Sequence, residues 1–274
     1  MKKYIYIFSL LFIALSSCED VVDVDLKTSQ ERLVIEGMFY WEKGTLGNEQ
    51  NVKLSRTSSY YNNQILAAND ATVFVTNKET LEVFNFVEVE NGNYHTANFV
   101  PIENNRYELT VVFNGETYTA EETLFISPEI EEIVQSTEEG LNTETPEVTV
   151  YFNDFIDQED YYRVRYDHYR NGEEIDVIDF TYDSRFQENN LLFDFYESEE
   201  FEVGDDITIS IVKISKQFYT FINILEQQGN GGIGPFSSPP ANVKGNCINT
   251  TNEAHYPYGY FGLHQVTTAT HIIE

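Results

Sequence analysis

Short runs of strictly alternating apolar and polar residues constrain the fold of this chain more than any other feature. In the segment 106–124, RYELTVVFNGETYTAEETL, one face carries the apolar side chains of Tyr107, Leu109, Val111 and Phe113. A period of two with one polar face is typical of a half-buried antiparallel strand. The pattern recurs in PEVTVYFND (146–154), YYRVRYDHY (161–169) and DDITISIVKIS (205–215). The sequence therefore predicts a mainly β protein.

Asn-Gly pairs separate several of these runs, at Asn91-Gly92, Asn114-Gly115 and Asn171-Gly172. Two-residue Asn-Gly loops suit type I′ hairpins because both residues accept a positive φ. Short strands joined by such turns predict β-sandwich architecture of the immunoglobulin or transthyretin-like kind. We expect two successive sandwich domains, at 31–127 and 128–274, with Pro128 near the boundary.

One segment changes to a helical period. Ile214, Phe218, Phe221, Ile222 and Leu225 form an apolar stripe, which predicts an amphipathic helix over 215–228. Its expected position is on a sheet, with Ser215 capping its start and Gly229 ending it. The Gly- and Pro-rich segment after it predicts a tail loop, and YPYGYFGLHQVTT (256–268) predicts a final strand or hairpin.

The N-terminus predicts export and lipidation. A basic pair, Lys2 and Lys3, precedes about a dozen apolar residues, which is too short to cross a bilayer and suits a secretory signal over 1–17. Leu15-Ser16-Ser17-Cys18 has the order of a bacterial lipobox, so Cys18 is the predicted site of acylation. The alternative is an ordinary signal peptide with an incidental cysteine. Residues 18–30 are acidic and polar, as expected of a tether.

The charge of the chain limits its partners. The formal net charge is −30, and removal of the signal with its two lysines makes it −32. Such a surface repels phosphate backbones, so nucleic acid is not an expected partner, and acyl chains are the expected link to the outer membrane. The acidic residues directly after Cys18 resemble the export signal of surface lipoproteins, which implies display on the cell surface, and anchoring that faces the periplasm is the alternative. The remaining cysteine, Cys247, is expected to be a small buried apolar residue.

Several segments, taken in order, resemble one protein family. The lipobox leads to DVDL, LVIEGMF and VKLSRTSSY, and the chain ends with GPFSSPPANVKGN and GYFG. This order resembles DUF4249, a Bacteroidetes lipoprotein family of unknown function. The likeness covers nearly the whole chain after the signal, and Pro235-Phe236-Ser237, Gly245-Asn246 and Gly259-Tyr260-Phe261 contribute most to it. The tail departs from the pattern at Cys247 and in the polar residues up to His255.

The resemblance implies a mainly β, extracytoplasmic protein in two parts, the first similar to the transthyretin-like sandwich of carboxypeptidase regulatory domains. It also implies accessory work at a TonB-dependent transporter of the outer membrane. It supplies no catalytic residues, and the sequence contains no GxSxG, P-loop, GxGxxG or HExxH motif.

Two sets of residues are candidates for a site. Aromatic residues flanked by Gly and Pro predict a ligand or partner contact, and these are Phe236, Tyr256, Tyr258, Tyr260 and Phe261. Structural packing is the alternative for them. No cofactor is predicted. Asp154, Asp157 and Asp160 make Ca²⁺ a weak candidate, and the alternative is an acidic loop between two strands.

The leading functional hypothesis is a non-enzymatic lipoprotein of the outer membrane, a ligand-binding or accessory partner of a TonB-dependent receptor. The first alternative is a surface hydrolase, which needs a cleft lined by two carboxylates or a metal. The second is a structural or adhesive module of the cell envelope.

Overall fold

Strands dominate the part of the chain that the structure, a computed structural model, describes: residues 30–58, 64–137, 145–154, 159–184, 191–229 and 243–274. Those from the N-terminal half are β1 (Leu33–Glu42), β2 (Gln50–Arg56), β3 (Leu66–Ala67), β4 (Thr72–Asn77), β5 (Val83–Glu90), β6 (Asn93–Thr96), β7 (Arg106–Phe113) and β8 (Glu116–Thr123). The others are β9 (Ile130–Ser136), β10 (Glu147–Asn153), β11 (Tyr161–Arg170), β12 (Glu173–Asp183), β13 (Leu191–Glu197), β14 (Asp206–Ile214), β15 (Ile248–Asn249) and β16 (Tyr258–Ile272). Helix α1 spans Lys216–Gly229, and a 3-10 helix spans Glu253–His255. The prediction of a mainly β protein is confirmed.

The three Asn-Gly pairs form the predicted two-residue hairpin loops, between β5 and β6, β7 and β8, and β11 and β12. Both residues of each pair have positive φ, for example 49° at Asn114 and 79° at Gly115. Asparagine tolerates the left-handed region better than most residues, and glycine enters it without steric cost. The local sequence therefore sets the register of these hairpins.

Two clusters of buried side chains correspond to the predicted apolar faces. The first takes most of its members from β1, β2 and β4 to β8, and includes Val52, Val75 and Leu109. The second lies between β11 and β14 on one side and β10 and β13 on the other, which is the layered arrangement of a β-sandwich. Val150 and Ile209 are fully buried there, as the alternation predicts.

Strand β16 joins the strands of the first cluster to β14, β11 and β12 in one sheet. It pairs in parallel with β1, with Val34 opposite Tyr258, and antiparallel with β14, with Ile211 opposite Thr267. The described strands of this sheet follow the order β12-β11-β14-β16-β1-β2-β6-β5-β4-β7-β8-β15, and β13-β10-β9 form a second sheet. The predicted division into domains at 127/128 remains a prediction. The first core nonetheless contains Phe261 and Leu263, so residues 31–127 do not build it alone.

Helix α1 begins and ends within a residue of its predicted bounds. The backbone N–H of Phe218 donates to Ser215 Oγ at 3.1 Å, so Ser215 is the predicted N-cap. The apolar stripe of the helix packs against Val212, Ile214 and Tyr260 on the sheet. No described helix has the length and apolar content needed to span a bilayer.

Candidate functional site

The C-terminal tail is held by a close contact between two glycines. A Cβ on Gly245 would lie 1.6 Å from the carbonyl oxygen of Gly259, and one on Gly259 would lie 1.9 Å from that of Ile35. Gly259 also has a φ of +96°, which side chains rarely allow. The structure thus brings together the two glycine-containing motifs that contribute most to the family resemblance.

Next to this contact, the side chain of Asn246 makes the two hydrogen bonds that a neighbouring strand would make to the backbone of Phe261. Its side-chain amide donates to the carbonyl oxygen of Phe261 at 2.7 Å, and its Oδ1 accepts the backbone N–H of Phe261 at 2.9 Å. The pairing of β14 with β16 begins at Thr267, so a side chain satisfies the buried backbone groups at Phe261. The next residue, Cys247, is buried in the first core as predicted, and burial raises the pKa of its thiol to about 12.

Tyr256 lies between two cations. The Arg32 guanidinium carbon and the Lys244 Nζ are each 3.7 Å from the centroid of its ring. Arg32 Nη1 also donates to the carbonyl oxygens of Ala254, at 3.0 Å, and Tyr256, at 3.1 Å. A cation over an aromatic ring contributes about 0.5–1 kcal/mol at an exposed position. These contacts fix the tail against the residues where the described chain begins.

Tyr258 completes a surface that we call the tether-root patch: Arg32, Lys244, Tyr256 and Tyr258. The rings of the two tyrosines meet edge to face, with centroids 5.6 Å apart, and both side chains are partly exposed. The patch is named for its position, because Arg32 immediately precedes β1 and follows the predicted tether.

A shallow groove of about 380 Å³ lies beside the tether-root patch. Its lining includes Val34, which pairs with Tyr258, and Thr57, whose Oγ1 accepts the backbone N–H of Arg32 at 3.0 Å. Lys53 and Arg56 also line it. Each of these cations is paired with a carboxylate, Lys53 with Glu36 at 3.8 Å and Arg56 with Glu31 at 2.7 Å, so the groove adds no net positive charge to the patch.

Tyr260 and Phe261 lie inside the protein, unlike Tyr256 and Tyr258. The Tyr260 hydroxyl donates to Glu122 Oε2 at 3.0 Å, and its ring packs against Phe218 and Phe221 of α1. Phe261 is fully buried in the first core. The reason is that β16 begins at Tyr258, so Tyr260 and Phe261 are strand residues whose side chains pack in the sheet despite the neighbouring Gly259. In this structure both rings stabilise the fold and neither presents a surface to a partner.

Two of the three candidate calcium ligands, Asp154 and Asp160, contact other side chains of the protein. The Asp160 carboxylate receives the Lys213 ammonium, with Nζ and Oδ2 2.6 Å apart, and Tyr162 donates to Asp154 Oδ1 at 2.5 Å. Within the described ranges, no three His, Cys, Asp or Glu side chains are grouped as a metal site. Asp157, Phe236 and Cys18 lie outside the described residues.

Sequence reasoning did not single out Arg32, Lys244 or Lys213. No local sequence pattern marks Arg32 or Lys244, because their contacts with Tyr256 form only when the chain folds. Lys213 does carry one, since it continues the inward-facing series Ile207, Ile209 and Ile211 in the same strand. A lysine at a position that faces the core is unusual unless it is paired.

Sequence comparison identifies one family. The sequence model of the family described as "Domain of unknown function (DUF4249)" matches residues 19–270. No curated protein matches the chain.

Two solved structures show a remote likeness. One is a DUF4785 family protein from Legionella pneumophila, with 12% identity and a TM-score of 0.29 over 68% of this chain and 53% of that one. The other contains the FN1–FN3 domains of chicken CNTN1, with 11% identity and a TM-score of 0.29 over 66% of this chain and 58% of that one. In both cases the match covers little more than half of the solved chain. TM-scores of this size do not identify a fold, so the architecture rests on the strand pairing described above.

Proposed function

This chain belongs to the DUF4249 family, and from that premise we propose that it is a non-enzymatic lipoprotein of the bacterial outer membrane. It is anchored by acyl chains on Cys18 and works as an accessory or ligand-binding partner of a TonB-dependent receptor. The bacterium is a member of the Bacteroidetes, and the protein is displayed on the cell surface.

The lipobox and the basic, apolar start of the chain support the anchor. Each buried methylene of an acyl chain contributes about 0.8 kcal/mol, so two or more chains hold a protein stably on a membrane. From Cys18 to Gln30 the chain reaches at most about 40 Å, at roughly 3.3–3.6 Å per residue. This limit keeps the start of β1 near the membrane and near any receptor in it.

The observation that carries the proposal is the position of Tyr256 between Arg32 and Lys244. It places an aromatic pair and two cations at the point where the tether joins the folded body. Tyrosine and arginine are enriched in the centres of protein interfaces. The two cations of the patch attract a partner surface that carries carboxylates. The chain as a whole is strongly acidic and repels such a surface elsewhere.

A pull-down from gently solubilised outer membranes tests the proposal. The wild-type protein is expected to recover a large β-barrel receptor. Lys244→Ala and Tyr258→Ala are expected to lower its recovery, because they remove exposed parts of the patch. Lys78→Ala is the matched control, since Lys78 pairs with Glu108 and Glu121 on the first sheet. Repeated recovery of the lipoprotein alone would contradict the proposal, and recovery of other envelope proteins would favour an adhesive module.

A further inference from the structure

A cavity of about 640 Å³ lies where the link between β8 and β9, the start of β11 and the end of β14 meet. The residues that matter for its chemistry are Phe125, Ile126, Glu159, Asp160, Lys213 and Lys216. Its volume falls in the range of about 300–1,000 Å³ that small-molecule sites occupy. It is separate from the tether-root patch.

The floor of the cavity is a buried ion pair. Lys213 Nζ lies 2.6 Å from Asp160 Oδ2, and the two side chains are 9% and 6% exposed. The backbone N–H of Asp160 donates to Ser184 Oγ at 3.0 Å, and that of Lys213 donates to Ser127 Oγ at 3.0 Å. These bonds fix the backbone at Asp160, just before β11, and at Lys213 in β14.

Stability alone does not explain this pair. Removing two charges from water costs several kcal/mol per ion, and apolar residues of similar volume are often as stabilising as a buried ion pair. The Lys213 position continues a series of isoleucines, so an apolar residue would suit it. A charged pair kept in a cavity wall is better explained by recognition of a polar ligand.

The rim of the cavity carries a second lysine–carboxylate pair. Lys216 Nζ lies 3.0 Å from Glu159 Oε1, and the two side chains are 66% and 35% exposed. An exposed pair contributes about 0–1 kcal/mol, so a ligand can separate it at little cost. Helix α1 begins at Lys216, and the N-terminus of its dipole adds positive potential at the same rim.

The remaining wall is largely apolar, with two polar residues, Asn104 and Ser215. Phe125 and Ile126 line the cavity, and Lys213 Nζ is 5.8 Å from the centroid of the Phe125 ring. The cavity therefore offers two ammonium groups, two carboxylates and an aromatic surface. Its local charge balances, in a chain whose formal net charge is −30.

We propose that this cavity binds a zwitterionic ligand with one ammonium and one carboxylate group, of the size of a short peptide. The ligand carboxylate pairs with Lys216 and Lys213, and the ligand ammonium pairs with Glu159. A ligand with negative charge alone is repelled by the surrounding acidic surface. A ligand with positive charge alone is attracted to that whole surface and is not selected by the cavity. The inference deepens the proposed ligand-binding role and rests on it.

Calorimetric titration with the dipeptide leucyl-leucine tests the inference, with the N-acetylated, C-amidated dipeptide as the matched ligand. The free dipeptide is expected to bind at least about tenfold more tightly, because only it carries both charges. Two singly blocked forms, the N-acetyl acid and the free-amine amide, are each expected to bind less tightly than the free dipeptide. Equal binding of the free and doubly blocked forms, or no binding of the free form at millimolar concentration, would overturn the inference.

Protein variants locate the binding. Lys216→Ala and Glu159→Gln change exposed rim residues and are expected to weaken binding of the free dipeptide by about tenfold each. Lys78→Ala is expected to leave it unchanged, and so is Tyr258→Ala, which alters the tether-root patch. Rim variants that bind like wild type would place the ligand elsewhere and overturn the inference. If the receptor is still recovered by pull-down while the dipeptide does not bind, this inference fails and the proposed accessory role does not.

Discussion

At the scale of single residues, polar side chains that are partly or fully buried stabilise the fold, and one of them holds the tail. Asn246 is the clearest case, because its side chain replaces a neighbouring strand for the backbone of Phe261. A buried backbone group that loses its partner costs about 1–3 kcal/mol. Asn246 therefore stabilises the folded state well beyond what its partly exposed position suggests.

We expect Asn246→Ala to lower the free energy of unfolding by about 2–4 kcal/mol, because the N–H and C=O of Phe261 both lose their partner. Urea denaturation followed by tyrosine fluorescence measures it. Asn51→Ala is the matched control, since Asn51 is exposed and contacts the partly exposed His95, and a change of less than about 0.5 kcal/mol is expected there. Equal effects of the two substitutions would show that Asn246 does not support β16.

Asp194 is a second buried polar residue, on the inward face of β13. Burial raises the pKa of its carboxyl from 3.8 to about 6, against the smaller opposing effects of Tyr182, the Phe195 backbone and Tyr166. Because the folded state binds this proton more tightly, the contribution of Asp194 to stability is full below pH 3.8. It is lost as the pH rises through about 6.

We expect Asp194→Asn to raise the free energy of unfolding at pH 8 by about 1–3 kcal/mol, since a shift of one pKa unit corresponds to about 1.4 kcal/mol. At pH 4 the variant and the wild type should differ much less. Urea denaturation at a series of pH values between 4 and 8 measures both. A variant that is equally or less stable at pH 8 would show that the carboxylate is favourably paired in the folded state.

At the scale of elements, helix α1 is stabilised by its N-cap residue, Ser215, and by the sheet on which it packs. Ser215 Oγ accepts the N–H of Phe218, and the same hydroxyl donates to Glu122 Oε2 at 2.9 Å. Glu122 is partly buried, and its loss of contact with water raises the pKa of its carboxyl. The cap thus ties the helix both to its own first turn and to β8.

We expect Ser215→Ala to lower the free energy of unfolding by about 1–2 kcal/mol, which is the usual cost of losing an N-cap. Ser215→Thr keeps a hydroxyl at the same place and should restore most of that loss. Thermal denaturation followed by far-ultraviolet circular dichroism compares the three proteins. Similar losses for both variants would indicate that side-chain shape, not the cap, matters at this position.

At the scale of the whole molecule, β16 makes the described chain from Glu31 onward one compact unit. Its residues Phe261 and Leu263 belong to the first core, and its C-terminal part pairs with β14 beside the second. The first core is therefore incomplete without a strand that also pairs beside the second core.

We therefore expect the protein without its signal peptide to unfold in one cooperative transition. Differential scanning calorimetry tests this by comparing the calorimetric and van't Hoff enthalpies, which agree for a two-state transition. Leu263→Ala should shift that single transition to lower temperature. Two separate transitions, of which Leu263→Ala moves only one, would instead support the predicted division near residue 127.

The proposed lipid anchor also belongs to this scale, because the proposed function places the protein at a membrane. We expect mass spectrometry of the protein from its native membrane to find Cys18 at the amino end, with acyl chains attached. Cys18→Ala should release the protein from the membrane fraction, because the acyl chains are the proposed anchor and a net charge of −30 repels anionic lipid. An unmodified amino end in the wild-type protein would remove the basis for the lipoprotein proposal.

The sequence by itself determined the features that depend on near neighbours in the chain. The alternation in β7, β11 and β14, the Asn-Gly hairpins and the bounds of α1 all follow from interactions over a few residues. The predicted inward side chains, such as Val164 and Ile209, are buried for that reason. Cys247 was likewise identified as buried from its isolation and small apolar side chain.

Only the tertiary structure decided which distant residues meet. It placed β16 between β1 and β14, buried Tyr260 and Phe261, and left Tyr256 between Arg32 and Lys244. It also brought Lys213 to Asp160 across two strands. These contacts join residues tens to hundreds of positions apart. Their formation depends on how whole faces pack, which no local periodicity encodes.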